Sequence, residues 1–395
     1  MLGTTSPHVL QWLVWVISCL IGKYIIFRIM ELSSLPSIIF SPSADDISIP
    51  AEGDVVVDTS ISDSSGTTIF KNSSSYSPGA DGYVHIAELS ELVNAAVLTL
   101  FKPDTMLATG SRSASCSLKV VVKGGASATS HALYMWRNHT ELKPMFATQI
   151  RHRSVIEGQP MPVNVLTAGM SSLSLVLGAA YRLANGELAW KQATIEPDCS
   201  KDYFTILADT DEVKRATAAP TGSTLLYYAL TLTQDGKQAD CINFSIDSKT
   251  RPSVANHFIF LNLFGVPECV TFRGKDVEEQ ELDSDFGYAG REYVRLDPLL
   301  TESHKSHSGW LTSEERHAVY DFMSSPYAFV HIDGELRRIT ITEVDSSISR
   351  PANEPQSVAV TWRYAEERLM RQPFVTPDTG SAAVFAHPPF DKTFS

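Results

Sequence analysis

Beyond residue 30, short apolar runs and alternations recur along the chain, separated by clusters of turn-forming residues. Ile47-Ser48-Ile49, Asp54-Val55-Val56-Val57-Asp58 and Tyr83-Val84-His85-Ile86 are strand-length, and a side chain every second position on one face is the signature of a half-buried strand. The segment from Tyr76 to Gly82, with Pro78, Gly79, Asp81 and Gly82, predicts turns between them. Over 87–98 the period changes. Leu89, Leu92, Val93 and Ala96 fall on one side of a 3.6-residue repeat, which predicts a short amphipathic helix closing this first unit.

The central stretch repeats the strand texture in Leu118-Lys119-Val120-Val121-Val122, Leu173-Ser174-Leu175-Val176-Leu177 and Leu225-Leu226-Tyr227-Tyr228-Ala229-Leu230. Asn185-Gly186 and Asp235-Gly236 each lie between two such runs, and both dipeptides tolerate the positive φ angles of a type I′ hairpin turn. A further unit begins near Arg251-Pro252. There His257-Phe258-Ile259-Phe260-Leu261 reads as a buried strand, Gly265-Val266-Pro267 as a turn and Val270-Thr271-Phe272 as a paired strand. Thr312-Ser313-Glu314-Glu315 has the spacing of a capping box, in which Thr312 and Glu315 satisfy reciprocal backbone donors at a helix start. Ala318, Val319, Phe322 and Met323 supply that helix with one apolar face, and Ser324-Ser325-Pro326 ends it. Asp333-Gly334 marks a third hairpin, and Ile339-Thr340-Ile341 and Val358-Ala359-Val360 predict the last strands.

The expected fold is therefore mainly β, built of several antiparallel sandwich-like or barrel-like domains, the carboxyl-terminal one α+β with a single prominent helix. The expected units are a small β domain with its closing helix over 30–105, an antiparallel sandwich over 106–250, an α+β domain over 251–371 and a loosely ordered, proline-bearing tail over 372–395. Residues 1–29 stand apart. The apolar stretch over 9–30 approaches the length of a membrane span, although Lys23 and Arg28 interrupt it and no Lys or Arg precedes it. Two readings follow: translated sequence upstream of a start at Met30, or a membrane anchor.

Composition narrows the chemistry. The 395 residues carry a formal net charge of -13 with no basic cluster, which argues against a nucleic-acid groove. The 5 cysteines have no CxxC spacing, so neither a zinc knuckle nor a disulfide framework is expected. His304 and His307, with His317 beyond them, form no completed metal set, the pair reading as loop histidines, and Asp209-Thr210-Asp211-Glu212 reads as a solvated acidic turn lacking the features of an EF-hand. There is no GxSxG elbow and no SxxK motif. Trp136, Trp190, Trp310 and Trp362 are expected in cores more than on a carbohydrate-binding face. The expectation is a non-enzymatic protein with no cofactor, no metal and no nucleic-acid partner.

The string from Asn262 through Phe264, Gly265, Val266, Pro267 and Glu268 to Phe272 and Gly274 resembles uncharacterised proteins of prophage tail modules from gut Bacteroidales. In those proteins a strand ends in an Asn-x-Phe-Gly element and continues into Glu-x-x-x-Phe-x-Gly. Similar features are Arg291-Glu292-Tyr293, the Ser308-Gly309-Trp310-Leu311-Thr312 stretch before a helix, Ser325-Pro326 before a strand, and the turn-rich segment around Tyr76. The resemblance spans most of 30–371 and implies a virion tail or baseplate subunit, assembled in the bacterial cytoplasm from like or neighbouring subunits. It implies no chemistry. The alternative is a membrane-anchored surface protein, an adhesin or glycan binder, for which residues 9–30 would be the anchor.

Overall fold

The computed structural model describes residues 30–136, 142–248, 250, 255–289, 292–345 and 357–365. The apolar stretch over 9–29 and the tail from 372 lie outside the described residues.

The first unit contains β1 (Met30–Glu31), β2 (Ile38–Phe40), β3 (Ile47–Pro50), β4 (Val55–Ser62), β5 (Thr68–Tyr76), β6 (Tyr83–His85) and α1 (Leu89–Thr99). These are followed by β7 (Gly110–Arg112), β8 (Ser115–Val122) and β9 (Ser127–Leu133). A five-stranded sheet runs in the order β2-β9-β8-β4-β5. Alternation in β4 and β8 sends Val57, Ile61, Leu118 and Val120 to one face, where they meet Leu89, Val93 and Ala96 of α1. The helix forms at the expected place because its apolar stripe has that face to cover. Strands β8 and β9, assigned by sequence to the central unit, complete this first sheet, and β7 joins a sheet of the second. A strand's local pattern says which face is buried and not which sheet it joins, so the boundary at 106 does not describe the pairing.

The second unit contains β10 (His152–Val155), β11 (Pro162–Leu166), β12 (Leu173–Arg182), β13 (Leu188–Ile195), β14 (Tyr203–Leu207), α2 (Thr210–Ala216), β15 (Thr224–Gln234) and β16 (Lys237–Ile246). A five-stranded sheet, β10-β16-β15-β12-β13, faces a three-stranded one, β11-β14-β7. Between them pack Val165, Phe204 and Ile206 from one sheet and Leu175, Leu177, Leu230 and Phe244 from the other. This is the expected sandwich.

The third unit contains β17 (Asn256–Leu261), β18 (Pro267–Phe272), β19 (Asp276–Ala289), β20 (Glu292–His307), α3 (Ser313–Ser324), β21 (Ala328–Ile332), β22 (Glu335–Asp345) and β23 (Ala359–Tyr364). Its seven strands run β18-β17-β21-β22-β23-β20-β19. Helix α3 lays Ala318, Val319 and Phe322 on Phe258, Phe260, Phe272 and Trp362, with Phe258 and Phe322 stacked at 4.9 Å. The other face of β17 and β18 is covered too, by a cluster in which Met106 meets Ile259, Leu261 and Cys269. Burial on both sides explains why these two strands read as continuous apolar runs. The capping box is present: Glu315 N donates to Thr312 Oγ1 at 3.2 Å, and Thr312 N donates to Glu315 Oε2 at 3.0 Å.

Two of the three expected turns have the predicted form. Asp235 and Gly236 have φ of 50° and 74°, and Asp333 and Gly334 have 52° and 83°, as a type I′ turn requires. The Asn185-Gly186 hairpin differs, because only Gly186 is left-handed. Its loop is one residue longer: Gly186 N donates to Leu183 O, and Leu183 N to Glu187 O, the pattern of an ordinary turn followed by a glycine bulge.

Between β17 and β18 the chain reverses over 262–265, a turn placed slightly earlier than Gly265-Val266-Pro267. Gly265 has φ +71°, and a Cβ there would lie 2.8 Å from the Tyr134 ring. Gly265→Ala therefore combines backbone strain with a clash against the first unit, and the expected loss is about 2–4 kcal/mol of unfolding free energy. Urea titration checks this; a loss below about 0.5 kcal/mol would contradict the close approach.

Candidate functional site: a buried joint and an outlying ribbon

The residues carrying the family-like motif come together as a buried joint between the units. Arg153 of β10 and Glu268 of β18 form an ion pair whose side chains are 6% and 5% exposed. Glu268 Oε1 also accepts from Thr148 Oγ1 at 2.7 Å, and Oε2 from Asn262 Nδ2 at 2.7 Å. Arg153 donates to Thr148 Oγ1 at 2.8 Å and to the Cys269 carbonyl at 3.1 Å. Asn262 donates further to the Ala147 carbonyl at 2.7 Å and accepts from Phe264 N at 3.0 Å, which shapes the turn. Asn164 of β11 donates to the Pro267 carbonyl at 2.6 Å. Leu263 N donates to Asp321 of α3 at 2.9 Å, while Trp136 N donates to the Leu263 carbonyl at 2.9 Å.

Of the singled-out residues, Asn262 and Glu268 thus hold the second unit, and Gly265 admits Tyr134 of the first. Phe264 and Val266 pack into the first unit's core and Phe272 into the third's. Gly274 lets the chain pass the backbone after β20, where a Cβ would meet the His307 carbonyl oxygen at 2.6 Å. Cavities of about 30 Å³ and about 10 Å³ border Arg153. They have room for about one or two waters each at most.

Three constellations superficially resemble chemistry. Ser115, His131 and Asp202 lie together, but Ser115 Oγ and Asp202 Oδ1 both approach His131 Nε2, at 2.9 and 2.7 Å. A nucleophilic triad needs the acid on Nδ1 and the hydroxyl on Nε2, and here Ser115 donates to the carboxylate itself at 2.6 Å. The group ties β8 to the loop before β14, and the bond to Asp202 raises the imidazole above its ordinary pKa. Asp209 is no solvated turn: it caps α2, accepting from Asp211 N and Glu212 N at 3.1 and 3.0 Å. His304 and His307 are not in a loop but in β20, three positions apart and so on opposite faces. Among the described residues no group of three or more His, Cys, Asp or Glu is placed to hold a metal ion.

The tryptophans also depart from expectation. Trp362 is buried, whereas Trp136, Trp190 and Trp310 are 38%, 57% and 75% exposed. Trp190 lies over Gly178, so close that a Cβ there would be 2.5 Å from the indole.

Sequence reasoning missed the ribbon formed by β19 and β20. Strand β20 pairs with β23 only over His304–His307, so from Ser303 outward β19 and β20 pair with each other alone. At the usual rise the ribbon reaches about 35 Å from the sheet. Its strands are too acidic to show an apolar alternation, and Pro298 speaks against a central strand. It lies opposite the register shift between Asp283 and Asp285, where a bulge tolerates a missing donor. The available signal was the pair of polar, proline-tolerant runs flanking Gly290.

At the ribbon's root, His304 stacks on Trp362 at 4.2 Å. Its Nε2 meets Glu302 at 2.9 Å and its Nδ1 stands 3.8 Å from Asp276. Asp276 raises the imidazole pKa against the opposing effect of burial, with help from Glu302.

Two expectations follow. Removing one partner of a buried pair strands the other charge, so Glu268→Ala should cost about 3–5 kcal/mol, and Arg153→Met with Glu268→Met should cost less than Glu268→Ala alone. Chemical denaturation of the parent and these two variants decides it; a double variant less stable than Glu268→Ala would refute the pairing. For His304, a folded pKa raised above its unfolded value makes the contribution full below about pH 6.5 and lost as pH rises through the folded value. His304→Gln should therefore lower the melting temperature more at about pH 5.5 than at about pH 9, and an equal loss at both would assign the effect to stacking alone.

Comparison with protein-family models and with curated proteins finds no match for the chain.

Proposed function

We propose that the protein is a non-enzymatic structural subunit, a phage tail or baseplate component that works by assembling with copies of itself or with neighbouring tail subunits. The observation that carries this reading is the β19–β20 ribbon. A two-stranded hairpin is marginally stable alone in water, and this one continues well past the last strand that accompanies it. By sequence it holds Leu282, Phe286, Tyr288, Tyr293, Val294, Leu296, Leu299 and Leu300, more apolar residues than an idle loop needs. The joint around Glu268 supports the same reading, since it fixes three units in one orientation from which a ribbon can be presented. The similarity to prophage tail proteins, carried by Asn262 through Gly274, points the same way.

A second reading, a membrane-anchored surface protein that binds glycans, rests on Trp190. An exposed indole lying over a glycine, beside Leu188 at 73% exposure, offers a flat apolar face of the sort sugars stack on. Among the described residues no helix is long and apolar enough to cross a membrane.

The test replaces residues 281–301 by Asn-Gly, a two-residue turn that keeps the root of the hairpin. Light scattering should show the full chain as an oligomer at micromolar concentration and the shortened chain as a folded monomer. Equal sizes, or a monomeric full chain, would overturn the assembly reading. Retention of the same full chain on immobilised neutral polysaccharide, lost in Trp190→Ala, would favour the glycan binder.

A further inference from the structure

The ribbon and one face of the first sheet carry opposite charge. Between 276 and 307 there are nine Asp and Glu against three Lys and Arg, a concentrated share of the chain's negative charge. Glu278 and Glu279 are exposed near the root. The five-stranded sheet of the first unit buries one face under α1 and presents the other. On that outer face Lys71 of β5 and Lys119 of β8 both stand opposite Ser60 of β4. Lys123, just past β8, reaches Asp58 at 3.7 Å and Ser73 at 3.3 Å. Lys71 and Lys123 both act on the Asp58 carboxylate of β4, Lys119 lies on the same face, and the neighbouring outward positions include Val56, Ser62, Ser75, Ser117, Val121 and Thr129. Strand β5 ends its sheet, so among the described residues no strand lies beside its outer backbone edge.

The other sheet edges fit the ribbon less well. Strand β18 is buried along its length. Strand β13 is open, but Lys191 and the nearby Arg182 are balanced by Glu187 and Glu196. Of the β5, β13 and β18 edges, the β5 side alone sets three lysines on one outer face against one outward carboxylate, Asp58, with Asp54 and Asp63 at the two ends of β4.

We infer that the β19–β20 ribbon of one copy lies along the Lys71, Lys119 and Lys123 face of the next copy, beside the open edge of β5. This rests on the assembly reading and names the receiving surface within it. Ribbon and lysine face are different patches of one molecule, so the contact is head-to-tail and propagates into a ring or a filament. Complementary charge sets the register and rejects ribbon-to-ribbon contact, which would oppose like charges.

Charge reversal in the full chain tests it. Lys71→Glu with Lys119→Glu and Lys123→Glu should weaken self-association at least about tenfold, as should Glu278→Lys with Glu279→Lys and Glu281→Lys. All six changes in one chain should restore it. An equimolar mixture of the two triple variants should also assemble, since each supplies what the other lacks, whereas a ribbon folding back on its own chain would leave the mixture monomeric. Assembly of the parent should fall in about 1 M salt, where screening shortens to about 3 Å. Thermal melts confirm that each variant is folded. A lysine-face variant that assembles like the parent, or a six-fold variant that stays monomeric, overturns the inference. If the ribbon-shortened chain is nevertheless monomeric, the assembly reading survives and only its receiving surface is wrong. If the parent is monomeric, both fall.

Discussion

The relative placement of the three units depends on one buried charge pair, Arg153 with Glu268. Both side chains are almost wholly enclosed, and an isolated charge in such a place is costly, so neither can separate from the other while the units remain folded. The surrounding partners are chosen accordingly. Thr148 touches both members, Asn262 takes the second carboxylate oxygen, and the Cys269 carbonyl takes another guanidinium proton. Because Thr148 and Arg153 belong to the second unit and Asn262 and Glu268 to the third, satisfying these groups is the same event as docking the units. The turn that presents Asn262 also carries Gly265, whose missing side chain lets Tyr134 of the first unit close the joint from a third side.

That joint consumes one edge of the seven-stranded sheet. Strand β18 is buried throughout, whereas at the opposite edge β19 and β20 run outward together. Edge strands are ordinarily blunted by charge, proline or bulges, and the ribbon has all three. These features discourage indiscriminate pairing while leaving room for a partner of suitable charge. At its root the Trp362 indole donates to Ser306 Oγ at 2.9 Å, and Ser306 donates to Asp276 at 2.6 Å. With His304 stacked on the same indole, the ribbon leaves the sheet from a rigid base.

Much of the local structure was legible in the sequence. The strands of the sandwich, the helix over Leu89–Thr99, the Thr312 capping box and the turns at Asp235 and Asp333 depend on contacts a few residues apart. Such preferences are written in adjacent side chains. The Asn185 hairpin shows the limit even there, since its loop length was decided by the register between β12 and β13 and not by its dipeptide. The joint was visible only as a string of packing residues. Arg153 lies more than a hundred positions before Glu268, and nothing adjacent to it announces a partner. Trp190 and Trp310 were expected inside and lie outside, and His304 was expected in a loop and lies in a strand.

By itself the sequence determined the mainly β class, the period of the strands that have an apolar face and the ends of helices α1 and α3, because these follow from local sterics and capping. Only the tertiary structure decided which strands share a sheet, which carboxylate meets which guanidinium, and that Asp276–Ala289 and Glu292–His307 form a ribbon extending past its sheet. Those outcomes depend on burial shared between distant segments, and desolvation of a charge or exposure of an edge exists only once the units have packed.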